Sequence, residues 1–508
     1  MSAAVSISSS FDAGNIEVIS TDVAAVKVNI KADPLTELEK KSHSQWFYFR
    51  ATASQPGMVS YEISNAGAVS FPAAWPGSQV CASTDRKVWM RVESTHYNAD
   101  AGALHWTFEH GAASQSVYFA YFDPYDYERH LDLVARCAAV AGVRVRSLGQ
   151  TLDGRELDCV EAGHGPLHCW VIHRQHPGES QASFYAEGLL SRLLGLGNGG
   201  GGAAAATPPD GLAVSLLRKF TFHVVPNMNP DGSLRGHLRT NACGANLNRE
   251  WATTAEYQAP SLERSPEVCR HLRSRWRFQT PHPMEISRWG ARLLPDAQLS
   301  APSPGALAWQ VYHALAAMDR TGVDAFVDVH GDETLPVAFV AGAEGCACWG
   351  PRIEALQGAF VASYARANPD MQATIGYDPD PPLEGNLAIC SNQIAQRFDC
   401  LAVTLEMPFK GSNPSNLAAP GGGGTFQGPR AAALGGSLLD ALAHVGPALR
   451  GTAEPAFGEA DAYVAPVEDE KAVAAFVAAQ HAALDREVAA VAGAANGAAE
   501  PTAKRQRK

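Results

Sequence analysis

The sequence predicts an α/β fold: a mixed, mostly parallel sheet covered by helices on both faces, preceded by a small all-β sandwich. Three observations carry this. Up to about residue 122, short β-branched and aromatic runs are separated by Gly, Pro, Asn and Asp clusters. From Tyr121 onward, helix-period stretches alternate with short apolar runs. Those runs are continuously apolar, as strands buried on both faces require. The expected organisation is residues 1–122 as the β-sandwich, 123–445 as the α/β unit and 446–508 as an Ala-rich extension.

Taken in order, the sandwich strands are expected at 23–30, 45–50, 59–63, 87–92 and 117–122. Helices are expected at 127–141 and 183–194, and apolar strands at 167–172, 220–225, 323–329 and 401–405. Two segments read as insertions: the Gly/Ala/Pro tract 195–210, and 271–304, rich in Arg, Trp and Pro without a period. In the extension, Val473, Phe476, Val477, Leu484, Val488 and Val491 fall at helical spacing, so one amphipathic helix is expected there. The last five residues, Lys504 to Lys508, form a short basic tail, readable as a nuclear import signal or as a solvated terminus.

Composition narrows the function. A chain of 508 residues exceeds one ordinary domain, and 46% apolar with 18% charged residues fits a globular protein with a sizeable core. The formal net charge of -12 disfavours nucleic-acid binding, which needs clustered positive charge. No apolar run approaches the roughly 20 residues that span a bilayer. The start, MSAAVSISSSFDAG, lacks a positive n-region followed by an apolar core. Ten cysteines are spread without a disulfide pattern, and Cys346 and Cys348 lack a second pair to complete a zinc ribbon. Reduced thiols and a cytoplasmic address are expected.

Four blocks carry chemistry. His176-Pro-Gly-Glu179 follows an apolar strand, and a tight turn lets His and Glu reach one metal; His173 is a rival ligand, but the Pro-Gly turn favours His176. The strand 323–329 leads into Asp328-Val-His330-Gly331, where alternation puts Asp328 and His330 on one side. A His at a strand's carboxyl end sits where open α/β sheets place their chemistry. Arg239, then Gly244-Ala-Asn-Leu-Asn-Arg249, form a loop whose guanidinium forks suit a carboxylate. The strand 401–405 ends in Glu406, a carboxylate that a general-base role beside zinc would justify, with Thr404 on the same face. Read singly, each block is also an ordinary capped or surface segment.

Together, and in this order, the blocks resemble the zinc metallocarboxypeptidases, and within them the cytosolic carboxypeptidases and their bacterial relatives. Tyr121-Phe-Asp-Pro-Tyr125, Thr151-Leu-Asp-Gly154 and Pro226-Asn-Met-Asn-Pro-Asp-Gly232 match as well, so the resemblance runs from about 15 to about 445. It implies that residues 123–445 are the catalytic domain and that His176, Glu179 and His330 hold one Zn2+ per chain. It implies Glu406 as general base toward a zinc-activated water, Arg239 as the group that polarises the scissile carbonyl, and Asn248 and Arg249 as the site for the substrate's terminal carboxylate. The implied activity is removal of C-terminal residues, acidic ones such as glutamate among them, from peptides or protein tails. Arg174, beside the zinc turn, and Arg397, just upstream of the Glu406 strand, are placed by no motif and are candidates for a charge that reads such a side chain, with structural salt bridges as the favoured role for each. Asn246 departs from the family's usual Asp beside the first zinc histidine; its amide oxygen still accepts that hydrogen bond but adds less charge. The segment 372–393 aligns too poorly to place the family's mobile tyrosine. Two other readings are a zinc amidohydrolase of the acyl-amino-acid deacylase type, which the N-terminal β region disfavours, and a degenerate peptide-binding module, which the complete set of ligands and Glu406 disfavours.

Overall fold

The computed structural model describes residues 5–39, 41–112, 114–197, 208–254, 309–410, 426–451, 454–468, 471 and 473–475. The 271–304 insertion, most of the 195–210 tract, most of the expected C-terminal helix and the basic tail lie outside the described residues.

Two five-stranded sheets form the N-terminal region. One is centred on Tyr48–Ala53 and Ser116–Ala120, the other on Gly57–Ile63 and Ala103–His110. Alternation sends Phe49, Phe119, Tyr61 and Trp106 inward, where Tyr61 and Phe119 meet at 4.7 Å and Trp106 and Phe119 at 5.5 Å between ring centroids. The run expected at 87–92 contributes only the short strand Met90–Arg91.

The following region is built on a seven-stranded sheet. Its centre is parallel: Phe220–Val225, Leu167–His173, Ala325–Asp332 and Leu401–Pro408 lie side by side. Antiparallel strands flank it, Glu156–Gly163 with Arg144–Gln150 on one edge and Phe339–Ala341 on the other. Within Leu167–His173, Cys169 and Val171 face one core while Trp170 and Ile172 face another. The first core is closed by the helices Gln181–Leu194, Gly211–Lys219, Pro351–Ala367 and Gly428–Val445, the second by Trp309–Thr321 and Cys390–Phe398. Such two-sided burial is why these strands read as unbroken apolar runs.

No helix among the described residues is long and apolar enough to cross a membrane. The nine described cysteines are free thiols. Beyond Gly428–Val445 the chain returns across the molecule, and Val467 exchanges backbone hydrogen bonds with Thr374 (3.1 Å) and Gly376 (3.2 Å).

Candidate metal centre and substrate cleft

The parallel strands end together, and three of their ends supply the site. His176 and Glu179 occupy the turn after Leu167–His173, and His330 lies near the end of Ala325–Asp332. All three are buried, and their ligand atoms lie within 4.8 Å of one another. His176 Nδ1 lies 2.7 Å from Glu179 Oε1, and His330 Nδ1 lies 2.9 Å from Glu179 Oε2. The far ring nitrogens are anchored. Asn246 Oδ1 lies 3.0 Å from His176 Nε2, and Asp328 Oδ2 lies 2.9 Å from His330 Nε2. Asp328 is itself held by Gln175 Nε2 at 2.6 Å.

This anchoring tests whether the residues fit a metal. When each Nε2 donates outward, each Nδ1 turns a lone pair inward, and the two Nδ1 atoms stand 3.1 Å apart beside a carboxylate. Converging lone pairs repel unless a cation lies between them. The charges agree. Burial, then the Arg239 guanidinium, pushes His176 down to about 3, with Glu179 opposing. Burial acts the same way on His330, but the Asp328 and Glu179 carboxylates outweigh it and hold that imidazole well above its usual range. The set of two imidazoles and one carboxylate fits zinc, which takes three protein ligands at a catalytic site and leaves a position open. Gly331, in the strand Ala325–Asp332, holds Glu179 in place: its N–H donates to Glu179 Oε2 at 3.1 Å, and a Cβ there would lie 1.9 Å from Gln181 Nε2.

His173 and Arg174 lie elsewhere. By alternation His173 faces the opposite side of the sheet, its Nδ1 2.9 Å from the Val225 carbonyl oxygen, and burial drives its pKa down to about 3. Arg174 is buried at a positive φ of 58° and donates to the Pro177 and Tyr125 carbonyls at 2.9 and 2.8 Å, so it braces the zinc turn from behind. Arg397 pairs with Asp319 across two helices, both bonds 2.9 Å. Neither arginine supplies the pocket charge for which it was a candidate.

Glu406 pairs in register with His330, and Thr404 with Asp328, on the face covered by Cys390–Phe398. Glu406 is buried and its Oε2 has no hydrogen-bond partner. Burial raises its pKa well above the usual carboxylate range; His330 opposes this while Glu179, Asp332 and Glu333 add to it. The Thr404 and Ser391 hydroxyls meet at 2.9 Å nearby.

The loop 238–249 closes another side. The Arg239 charge acts on His176, Arg249 and Glu333. Asn248 is buried, its Oδ1 accepts from Cys390 N at 2.8 Å, and its Nδ2 lies 3.4 Å from His330 Nε2. Arg249 reaches the surface, donating to the Asn248 carbonyl at 2.7 Å. Its guanidinium sits in a partly desolvated recess, and desolvation, then Arg239, lowers its pKa.

One residue escaped sequence reasoning. Tyr377 donates to Asp332 Oδ2 at 2.7 Å, and burial followed by the Glu406 and Asp332 charges raises its phenol pKa well above normal. It sits in an irregular loop where neither strand nor helix period gives a signal; the one available cue was a lone aromatic before Asp378-Pro379.

A second buried cluster, Cys159, Glu161 and His223, also has its ligand atoms within 4.8 Å of one another. Its carboxylate is already paired with Arg144 and Arg146, and two guanidiniums leave little attraction for a cation.

Residues 7–122 match the family described as the cytosolic carboxypeptidase N-terminal domain, and residues 132–331 match the zinc carboxypeptidase family. An uncharacterised protein of Zymomonas mobilis is 38% identical over 80% of this chain and 88% of its own length. A metallo-carboxypeptidase from Pseudomonas aeruginosa, solved with (2-guanidinoethylmercapto)succinic acid, is 33% identical, covers 88% of this chain and 100% of its own, and superposes with a TM-score of 0.68. Cytosolic carboxypeptidase 3 of Bos taurus is 25% identical over 52% of this chain and 27% of its own length.

Proposed function

The chain belongs to the zinc carboxypeptidase family, and we propose that within it the protein removes residues from the C-terminus of peptides or protein tails. The observation that carries this is one cleft holding three kinds of group: the convergent Nδ1 atoms and Glu179, the unpartnered Oε2 of Glu406, and the Arg249 guanidinium at the mouth. His176, Glu179 and His330 would hold the zinc, which when bound would supply Lewis acidity and lower the pKa of water. Glu406 Oε2 accepts the proton of the attacking water and returns it to the leaving amine. Arg239 meets the scissile carbonyl oxygen and stabilises the charge that develops there. Asn248, through Nδ2, and Arg249 hold the terminal carboxylate, which confines cleavage to chain ends. Tyr377 stands in the electrostatic field of both Glu406 and Arg249, where a phenol can close over a bound peptide.

For the residue removed, we propose an acidic preference. Arg239 and Arg249, which repel each other, are taken up by the scissile carbonyl and the terminal carboxylate, so the acidic preference rests on the resemblance to the cytosolic carboxypeptidases, whose N-terminal domain family matches residues 7–122. The ligand of the Pseudomonas relative carries a guanidino arm as well as a succinic acid, so it lends no support to the acidic preference. A cytoplasmic address is proposed from the free thiols and the match to a cytosolic carboxypeptidase domain.

The test is mass spectrometry of a peptide series that differs only in its last residue, each as free acid and as amide. Release of the last residue from the acids alone is expected, fastest for Glu. Equal cleavage of acids and amides would refute the carboxypeptidase assignment. Faster release of Leu, Phe or Lys would refute the acidic preference alone.

A further inference from the structure

The N-terminal sheets reach the cleft through residues 33–39. Asp33 is only 5% exposed, and its carboxylate takes four hydrogen bonds from three successive residues of the loop bearing Arg239. Leu238 N donates to Oδ1 at 2.7 Å; Arg239 N and Thr240 N donate to Oδ2 at 2.9 Å, and Thr240 Oγ1 at 3.0 Å. Three consecutive N–H groups turned onto one carboxylate form an anion cradle, and charged acceptors make the stronger hydrogen bonds. A few residues on, Glu39 accepts from Asn246 N while its other oxygen pairs with His43 Nε2 at 2.7 Å. The backbones interlock as well. Gly244 has φ +81°, and a Cβ there would lie 2.0 Å from the Leu35 carbonyl oxygen. Ala13 N donates to Leu234 O at 2.9 Å on the other side of the loop.

We propose that Asp33 is a positioning residue for the peptidase reaction, fixing the 238–240 backbone and through it the Arg239 guanidinium. The N-terminal region is then a working wall of the active site. This rests on the assignment of Arg239 to the scissile carbonyl. Arg239 is a long side chain whose aim depends on where its Cα is held, and a misplacement of about 1 Å at such a group costs on the order of 10²-fold in rate. Asp33→Asn places an NH2 donor against backbone donors and loosens that hold.

The experiment measures kcat, KM, zinc content and thermal melting for full-length Asp33→Asn, Arg239→Ala and the double variant. The expected result for Asp33→Asn is a kcat lowered about 10–100-fold, with KM within about threefold and zinc retained, because Arg239 acts in the transition state. In the Arg239→Ala background the same change adds less than about threefold, since both act through one group. An unchanged kcat, or the same loss in both backgrounds, overturns the proposal. A wild-type kcat for Arg239→Ala alone refutes the Arg239 assignment directly and removes the basis of this inference, a separate and recognisable failure. If Asp33→Asn does not fold, Thr240→Val decides: it keeps the shape and removes one donor. A several-fold loss of kcat confined to the Arg239 background supports the proposal, and an equal loss or none in both backgrounds overturns it.

Discussion

Among the described residues, two places bring three metal-ligand side chains within the same 4.8 Å, and one of them is built to hold a metal. At His176, Glu179 and His330 the anchors lie outside the cluster: Asn246 and Asp328 take the far ring nitrogens, so the lone pairs face inward. At Cys159, Glu161 and His223 the charge is already spent within the cluster. Arg144 and Arg146 pair with Glu161, and His223 Nε2 lies 3.1 Å from His168 Nδ1. Burial pushes the Cys159 thiol up to about 12, so it is no ready thiolate. Burial also lowers His223 to about 4. The difference teaches that ligand identity and proximity do not define a site. What lies behind the ligands does.

That contrast can be broken most sharply by removing metal. Chelation, or Glu179→Ala, is expected to abolish activity and reduce bound zinc from one per chain to near zero, as metal analysis would read; full activity in metal-free protein contradicts the scheme. Glu406→Gln comes next, with turnover reduced about 10²–10⁴-fold while zinc stays bound. A variant within a few-fold of wild type would mean that another group is the base. Arg249→Ala should cost about 10–100-fold on free-acid peptides, equivalent to losing one or two charge-assisted contacts. Its loss on amidated peptides should be negligible by comparison, and an equal loss on both would remove Arg249 from carboxylate recognition.

The other cluster sharpens the comparison with smaller effects. Glu161→Gln should leave zinc stoichiometry and kcat unchanged but lower stability by about 1–2 kcal/mol, a modest figure because the Arg144 side chain is 73% exposed. Thermal melting would show it. Cys159→Ser should change zinc content not at all. Loss of a zinc equivalent in either variant would make the second cluster a metal site after all.

How much of this was legible in the sequence follows from the range of the forces involved. The strand ends were readable because alternation over a few residues fixes which side chains share a face, as with Asp328 and His330 or Thr404 and Glu406. The zinc turn was readable because His176 and Glu179 are neighbours in the chain. The Pro-Gly turn favoured His176 over His173, and the register of the sheet puts His173 on the far side. Arg174 was a pocket candidate only by proximity to the turn, which says nothing about the direction of a side chain at positive φ, and its contacts give it the structural role that the sequence favoured. Tyr377 and Asp33 were illegible for a common reason. Each acts on groups far away in the chain, from a segment with no period of its own.

Asp33 also places the active site in time. It is joined to Leu238 across 205 residues of chain. At a synthesis rate of about 5–20 residues per second, the backbone that satisfies it appears roughly 10–40 s later. Until then its carboxylate must stay in water, and the loop 33–39 cannot take its final packing. Residues 33–39 therefore finish packing only after residues 238–246 have been made.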